Sequence, residues 1–159
     1  MKIKLIAVLA LLFVSSCATV NLEQMQSEIQ GYSLPFKPKK DNAVVYVVRP
    51  SHLGTLIKFN VFLDDKESAS EMGYTLGNQY VYFSVTPGHH KILSKAENWA
   101  EVEIEAQSGD VIFIKQNASM GFIMARNSLK ILSDTEGKFY IKKATNGGIK
   151  KLEKISLAQ

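Results

Sequence analysis

The sequence predicts a mainly β fold: an antiparallel β-sandwich of the immunoglobulin-like or transthyretin-like type, with a short C-terminal helix. From Ala43 onward, runs rich in β-branched and aromatic residues are separated about every eight to twelve residues by Gly, Pro, Asn or Asp, a rhythm typical of all-β domains. Several runs alternate apolar and polar residues, as strands with one buried face do. No helix of crossover length separates them, which argues against a parallel α/β sheet.

The first predicted strand, 43–48, is apolar at every position, which favours a central strand covered on both faces. Arg49-Pro50 ends it, because proline has no N–H to donate to a neighbouring strand. A helix is predicted over 134–144, because Ser133 and Glu136 have capping-box spacing, although Gly137 lowers the helix propensity. The other predicted strands are 57–63, 79–85, 90–96, 101–106, 111–116, 122–125 and 129–132, with turns at 64–66, 86–88 and 108–110.

The N-terminus has the features of an export signal. Lys2 and Lys4 precede an uninterrupted apolar run over 5–14, and small residues follow it. This run is too short to cross a bilayer, which needs roughly twenty apolar residues. Val14-Ser15-Ser16-Cys17, which contains the single cysteine of the chain, resembles the bacterial lipobox. An ordinary signal peptide followed by an unmodified thiol is the alternative.

The lipobox resemblance implies that Cys17 becomes the first residue of the mature chain, with diacylglycerol on its sulfur and a third acyl chain on its amine. Such a protein is held firmly on a membrane. Ala18 stands where an aspartate favours inner-membrane retention, so in a cell with two membranes we expect the outer membrane, facing the periplasm. In a host with one membrane the domain would lie outside the cell. Removing Lys2 and Lys4 lowers the formal net charge from +4 to +2, so the composition gives little support for nucleic acid binding.

Residues 17–42 are predicted to form a lipidated tether between the signal peptide, 1–16, and a single sandwich domain, 43–159. One short helix is expected in the tether, because a capping residue is followed by apolar residues at near-helical spacing: Asn21, Leu22, Met25 and Ile29. The segment 35–40 contains two prolines and three lysines without a hydrophobic pattern, which favours an extended, solvated chain. Fully stretched, such a tether would reach on the order of 80 Å.

Three motifs occur in order along 43–144: Val45-Tyr46-Val47-Val48-Arg49-Pro50, Asn60-Val61-Phe62-Leu63-Asp64-Asp65, and Tyr82-Phe83-Ser84-Val85-Thr86-Pro87-Gly88-His89-His90. This order resembles a bacterial domain-of-unknown-function family of small exported proteins, often lipoproteins. Asp65 stands where that family usually has Gly. This difference affects the expected type of turn more than the expected fold. The resemblance implies no activity. The Pro-Gly-x-His turn also resembles surface β-sandwich modules that bind carbohydrate or act as spacers.

The sequence contains no local signature of an enzyme site or a metal centre. It has no nucleophile elbow, no zinc-binding helix and no phosphate-binding glycine loop. His89 and His90 are adjacent, so on a strand they point to opposite faces and cannot share one metal. Glu101, Glu103 and Glu105 share a strand face that could bind a divalent cation, but such a row is more often solvent-exposed. We therefore expect no cofactor and no metal.

Four residues are candidates for binding a ligand or partner: Arg49, Tyr80, Tyr82 and Trp99. The Arg49 guanidinium could hold a carboxylate, although bracing a turn is the favoured role. Tyr80 and Tyr82 share a strand face, where cross-strand packing competes with ligand stacking. Trp99 is expected to be partly exposed in a loop. The apolar run 120–124 could be exposed for a partner, but a buried strand is the favoured interpretation.

The C-terminus changes composition, with six lysines and a single acidic residue after Gly137. Ile149, Leu152 and Ile155 recur opposite lysines, as in a short basic amphipathic segment that could bind an acidic partner, a membrane surface or its own domain. The sequence as a whole predicts a lipid-anchored envelope protein whose non-catalytic sandwich contacts another envelope component, protein or glycan. The alternatives are an envelope enzyme with a site assembled from distant residues and a purely structural surface protein.

Overall fold

The computed structural model describes residues 20–151, which form two five-stranded sheets packed together with two helices. The predicted signal peptide, Cys17, Leu152 and Ile155 lie outside the described residues. Within residues 20–151, no helix is long and apolar enough to cross a membrane. The helices are α1 (Leu22–Ile29) and α2 (Asp134–Lys143), and the strands are β1 (Ala43–Arg49), β2 (Phe59–Leu63), β3 (Glu71–Thr75), β4 (Gln79–Val85), β5 (Gly88–Lys95), β6 (Trp99–Ala106), β7 (Val111–Met120), β8 (Ala125–Leu132), β9 (Thr145–Asn146) and β10 (Gly148–Ile149).

The two sheets differ in strand direction. One has the order β10-β3-β2-β5-β6 and is antiparallel throughout. The other has the order β8-β7-β1-β4-β9 and is mixed, because β1 pairs with β7 in parallel and β4 pairs with β9 in parallel. The mainly β sandwich is thus confirmed, whereas the prediction of wholly antiparallel sheets is wrong for the mixed sheet. These parallel pairs depart from an immunoglobulin-like sandwich, whose two sheets are antiparallel.

Strand β1 is buried on both faces, as its unbroken apolar sequence predicts. Val45 and Val47 face the interior of the sandwich with side chains of β2, β4, β5, β6 and β7. Tyr46 and its neighbours on the opposite face pack under α2 and the N-terminal segment. The molecule therefore has one core between the sheets and a second apolar cluster outside the mixed sheet.

Helix α2 begins with the predicted capping box. The Ser133 hydroxyl accepts from the Glu136 N–H at 3.4 Å, and the Glu136 carboxylate accepts from the Ser133 N–H at 3.1 Å. The helix lies against the mixed sheet through Gly137, Phe139 and Ile141, which are buried. Two lysines in its last turn suit the negative end of the helix dipole.

The predicted tether is instead packed onto the domain from 22 to 36. Helix α1 forms with the expected cap, since the Asn21 side chain accepts from the Gln24 N–H at 2.8 Å, and it packs against α2. The chain then crosses the outer face of the mixed sheet, where Tyr46 Oη donates to Phe36 O at 2.6 Å. Side chains of Tyr32, Leu34 and Phe36 cover the apolar cluster there. Within the segment 35–40, Phe36 departs from the expected solvated chain, because its side chain finds partners that only the folded sheet presents. Lys37, Lys39 and Lys40 are exposed, as expected.

Three other elements differ from the predicted strands. Strand β3 was not expected, because its sequence contains Glu71 and Gly73, which are weak strand formers. Residues 121–124 form a turn between β7 and β8 rather than a strand. At the C-terminus, β9 joins the mixed sheet beside β4 and β10 joins the antiparallel sheet beside β3, so this short segment ties one edge of the sandwich together.

Candidate interaction surface

Two neighbouring loops expose large apolar side chains at one end of the sandwich. At the β7–β8 turn, Met120, Phe122 and Ile123 are 82, 96 and 84% exposed, and Leu56 in the β1–β2 loop is 87% exposed. The loops touch, because a Cβ built on Gly54 would lie 3.0 Å from the Cβ of Ala125. We call residues 53–56 and 120–124 the apolar tip. The favoured interpretation of 120–124 as a buried strand is therefore wrong.

The strand register explains why these loops meet. Strands β1 and β7 run in parallel with Val48 opposite Lys115, so both strands leave the sheet at the same end. Strand β7 continues to Met120, which carries the β7–β8 hairpin past Arg49, the last residue of β1. The hairpin thus projects, and its turn side chains point into solvent rather than into the core.

Glu97, in the β5–β6 turn, holds the β7–β8 turn in place. Its carboxylate accepts from the backbone N–H groups of Phe122, Ile123 and Met124 at 3.0, 2.8 and 2.7 Å. In return the Glu97 N–H donates to Ala125 O at 3.2 Å. These backbone donors, with a smaller contribution from the charge of Arg126, lower the pKa of Glu97 to about 2. Sequence reasoning missed Glu97, because its partners lie about twenty-five residues away along the chain.

Arg49 holds the other loop of the apolar tip. Its side chain is fully buried and donates to Ile57 O at 2.7 Å, Leu53 O at 2.5 Å and Gly54 O at 2.8 Å. The guanidinium carbon also lies 3.7 Å from the centre of the Phe59 ring, and desolvation lowers the Arg49 pKa. Arg49 therefore braces the β1–β2 loop and has no exposed surface to offer a ligand.

The tyrosines predicted as a binding face are covered. Tyr82 lies opposite Tyr46 in the β1–β4 pair, with ring centroids 5.5 Å apart, and its ring also packs on Phe36 at 4.9 Å and Tyr80 at 6.4 Å. Tyr80 is buried in the same cluster, and that burial raises its pKa. Both rings therefore contribute to packing under the N-terminal segment, which the sequence pattern alone could not place there.

Trp99 is the first residue of β6 rather than part of a loop, and it is half-buried. Its ring packs on Phe62, with centroids 5.1 Å apart. The ammonium groups of Lys66 and Lys95 lie 5.2 and 5.4 Å from the ring centroid. The partial exposure expected for Trp99 is confirmed, and two lysine ammonium groups lie over its ring.

The two adjacent histidines of β5, His89 and His90, have separate partners. His89 is exposed and lies 2.6 Å from Glu105, whereas His90 lies 3.0 Å from Asp64 Oδ1 and 2.8 Å from Thr86 O. Glu101, Glu103 and Glu105 are exposed along β6, which is an edge strand. Among residues 20–151, no group of three or more His, Cys, Asp or Glu side chains is placed to hold a metal ion.

A basic cleft of about 620 Å³ opens at the opposite end of the sandwich, between the N-terminal segment and the start of α2. Lys138 in its wall pairs with Asp134 at 3.8 Å. The remaining charged groups of its lining are Lys37, Lys39, Lys40 and Asp41. The lining contains serines and lysines but neither histidine nor cysteine, so it lacks the usual pairing of a nucleophile with a histidine base.

Comparison with known proteins places these observations in a family. A Haemophilus influenzae protein described as "Uncharacterized protein" is 29% identical over 133 residues, which cover 83% of this chain and 76% of that protein. Residues 39–128 match the family described as "Protein of unknown function (DUF2846)", a span that includes Arg49-Pro50, the Asp64 turn and the Pro87-Gly88 turn. This match covers more than half of the chain, and the chain belongs to the DUF2846 family.

Proposed function

We propose that this protein is a lipid-anchored envelope protein whose non-catalytic sandwich binds another envelope component through the apolar tip. The observation that carries the proposal is the near-complete exposure of Phe122 and Ile123 beside Met120 and Leu56. Soluble monomeric proteins rarely expose large contiguous apolar patches, and such patches mark interaction sites.

The order of the apolar tip supports a binding role. Glu97 fixes three backbone N–H groups of the β7–β8 turn, and Arg49 fixes three carbonyls of the β1–β2 loop. A surface held in one conformation loses less conformational entropy when it binds. Arg49, which is buried, and Glu97, in the β5–β6 turn, thus hold these apolar side chains in exposed positions where they do not contribute to the core.

The anchor is supported by the export signal and by Val14-Ser15-Ser16-Cys17 at its end. The alternative, an envelope enzyme, has less support, because the basic cleft lacks histidine and cysteine and because His89 and His90 each pair with a carboxylate, Glu105 and Asp64. Binding of a glycan by stacking on Tyr80 and Tyr82 also has less support, since Tyr80 is buried and Tyr82 packs against Tyr46 and Phe36.

Acyl labelling tests the anchor. We expect wild-type protein to incorporate a labelled fatty acid and Cys17→Ser to lose the label and accumulate as uncleaved precursor. Retention of the label by Cys17→Ser would contradict lipidation at this residue.

Site-specific crosslinking tests the apolar tip as the binding surface. A photoreactive phenylalanine analogue at Phe122 should trap an anchor-dependent product in cells, whether protein or lipid. The same analogue at Ser108, which is exposed in the β6–β7 turn at the opposite end, is the matched control. Identical products from both positions would show that the apolar tip has no special contact.

A further inference from the structure

We infer that the apolar tip inserts into the interfacial layer of the membrane that holds the lipid anchor. The inference rests on the proposed anchor and names the partner of the same surface. Its evidence is the shape and backbone chemistry of the apolar tip, the charge around it, and the length of chain between it and Cys17.

The apolar tip meets the main structural requirement for entering a low-polarity layer. Backbone groups that leave water must find hydrogen-bond partners within the protein. The N–H groups of Phe122, Ile123 and Met124 already have one in the Glu97 carboxylate, and Ala125 O accepts from the Glu97 N–H. The exposed side chains stand on a projecting hairpin rather than lining a recess, so they can enter a fluid layer together.

The surroundings of the apolar tip are basic. Lys58, Lys95 and Arg126 are exposed beside these loops, and Glu97 is the single acidic residue in segments 50–58, 76–78, 95–99 and 119–127. Exposed lysine and arginine next to an apolar surface favour anionic headgroups. Trp99, half-buried beside Lys95, is of the residue type that prefers the boundary between water and hydrocarbon.

Because the N-terminal segment packs on the domain, few residues separate α1 from Cys17. Because α1 begins at Leu22, only residues 18–21 separate it from Cys17, and this stretch reaches roughly 17 Å when extended. The far end of α1 lies at the apolar-tip end of the sandwich: Glu28 pairs with Lys143 at 2.7 Å, and Lys143 O accepts from Asn78 Nδ2 at 3.4 Å. Asn78 in turn donates to Ser51 O in the β1–β2 loop at 3.3 Å. Since the helix from Leu22 to Glu28 adds roughly 9 Å to this stretch, an acylated Cys17 lies within roughly 26 Å of Glu28. The apolar tip therefore stays within reach of the membrane that holds the anchor.

A fluorescence experiment on the anchored protein tests the inference. Phe122→Cys is purified with its lipid, labelled with a polarity-sensitive thiol probe, and reconstituted into vesicles of phosphatidylethanolamine and phosphatidylglycerol. Ser108→Cys, at the opposite end, is the matched control. We expect the probe at 122 to emit at shorter wavelength than the probe at 108 in the same vesicles. We also expect iodide to quench it severalfold less than the probe at 108.

Two results would overturn insertion. One is equal iodide quenching at 122 and 108 in vesicles. The other is a probe at 122 that iodide quenches freely in vesicles of pure lipid but poorly in native membranes. This result would assign the apolar tip to a protein partner. The wild-type chain separates this inference from the proposed anchor: if its Cys17 reacts with the thiol probe, the acylation itself is contradicted, whatever the probe at 122 reports.

Discussion

Gly137 of α2 lies directly on the ring of Phe113 in β7, since a Cβ built on Gly137 would be 2.1 Å from Phe113 Cγ. Glycine inside a helix costs about 1 kcal/mol relative to alanine. Here it allows the helix axis to approach the mixed sheet closely enough to bury Phe139 and Ile141. The residue that weakened the helix prediction is therefore the one that lets the helix dock.

Gly137→Ala should destabilise the protein by about 1–3 kcal/mol, because the added methyl group overpacks a buried contact and outweighs the gain in helix propensity. Thr135→Ala in the first turn of α2 is the control and should have a smaller effect. Urea unfolding followed by circular dichroism measures both. Equal or greater stability of Gly137→Ala would contradict the close contact with Phe113.

Arg49→Met should lower the free energy of unfolding by about 3 kcal/mol or more, because three backbone carbonyls would lose their donor in a buried site. Arg49→Lys should recover only part of this, since an ammonium group cannot reproduce the planar fork of donors. Arg126→Lys, at an exposed position, is the control and should change stability by about 0.5 kcal/mol at most. Chemical unfolding of the three variants checks the expectation, and a neutral Arg49→Lys would contradict the bracing role.

The β7–β8 turn should remain ordered in moderate acid. Glu97 has a folded-state pKa of about 2, below its ordinary value of 4.5, so its contribution to stability is complete above pH 4.5 and is lost as the pH falls through about 2. The amide resonances of Phe122, Ile123 and Met124 should therefore titrate with a midpoint near pH 2. Glu97→Gln should abolish this titration and speed amide exchange in the turn, whereas Glu103→Gln, on the exposed face of β6, should do neither. A midpoint near the ordinary carboxyl value in the wild type would contradict the three hydrogen bonds.

Gly88→Val should destabilise the protein by roughly 1 kcal/mol or more. Gly88 has φ of +131°, a conformation that a β-branched residue adopts only with strain, although a Cβ there would meet no atom within 4 Å. The cost therefore comes from the backbone and not from a clash. Thermal unfolding beside Ser108→Ala, an exposed turn substitution, provides the comparison, and an unchanged melting temperature would contradict the strain.

Local sequence patterns were enough to predict many of the strands and helices. The alternation in 79–85, the capping residues Ser133 and Glu136 and the apolar run from Ala43 predicted β4, α2 and β1 because their causes lie within each segment. The parallel pairing of β1 with β7 could not be read in this way, since it joins residues 67 positions apart, as Val44 and Val111 are. Strand direction in a sheet depends on the whole chain path.

The candidate surface was harder to predict than the fold. Residues 120–124 have the composition of a buried strand, and only the projection of the β7–β8 hairpin leaves them outside. Tyr80 and Tyr82 have the composition of an exposed aromatic face, and only the return of 32–36 across the sheet covers them. In both cases exposure was decided by which segments dock where, information that no local pattern contains.

The position of β1 between β4 and β7 sets the order in which this chain can fold. β1 is the earliest strand along the chain and the centre of the mixed sheet, yet its parallel partner begins at Val111. A newly made chain therefore carries an apolar strand with one unpaired edge until most of the domain has emerged. Contacts this distant in sequence slow folding to the millisecond-to-second range and leave time for association with other chains. In the export that we propose for this protein, the same delay would favour an extended chain during transport.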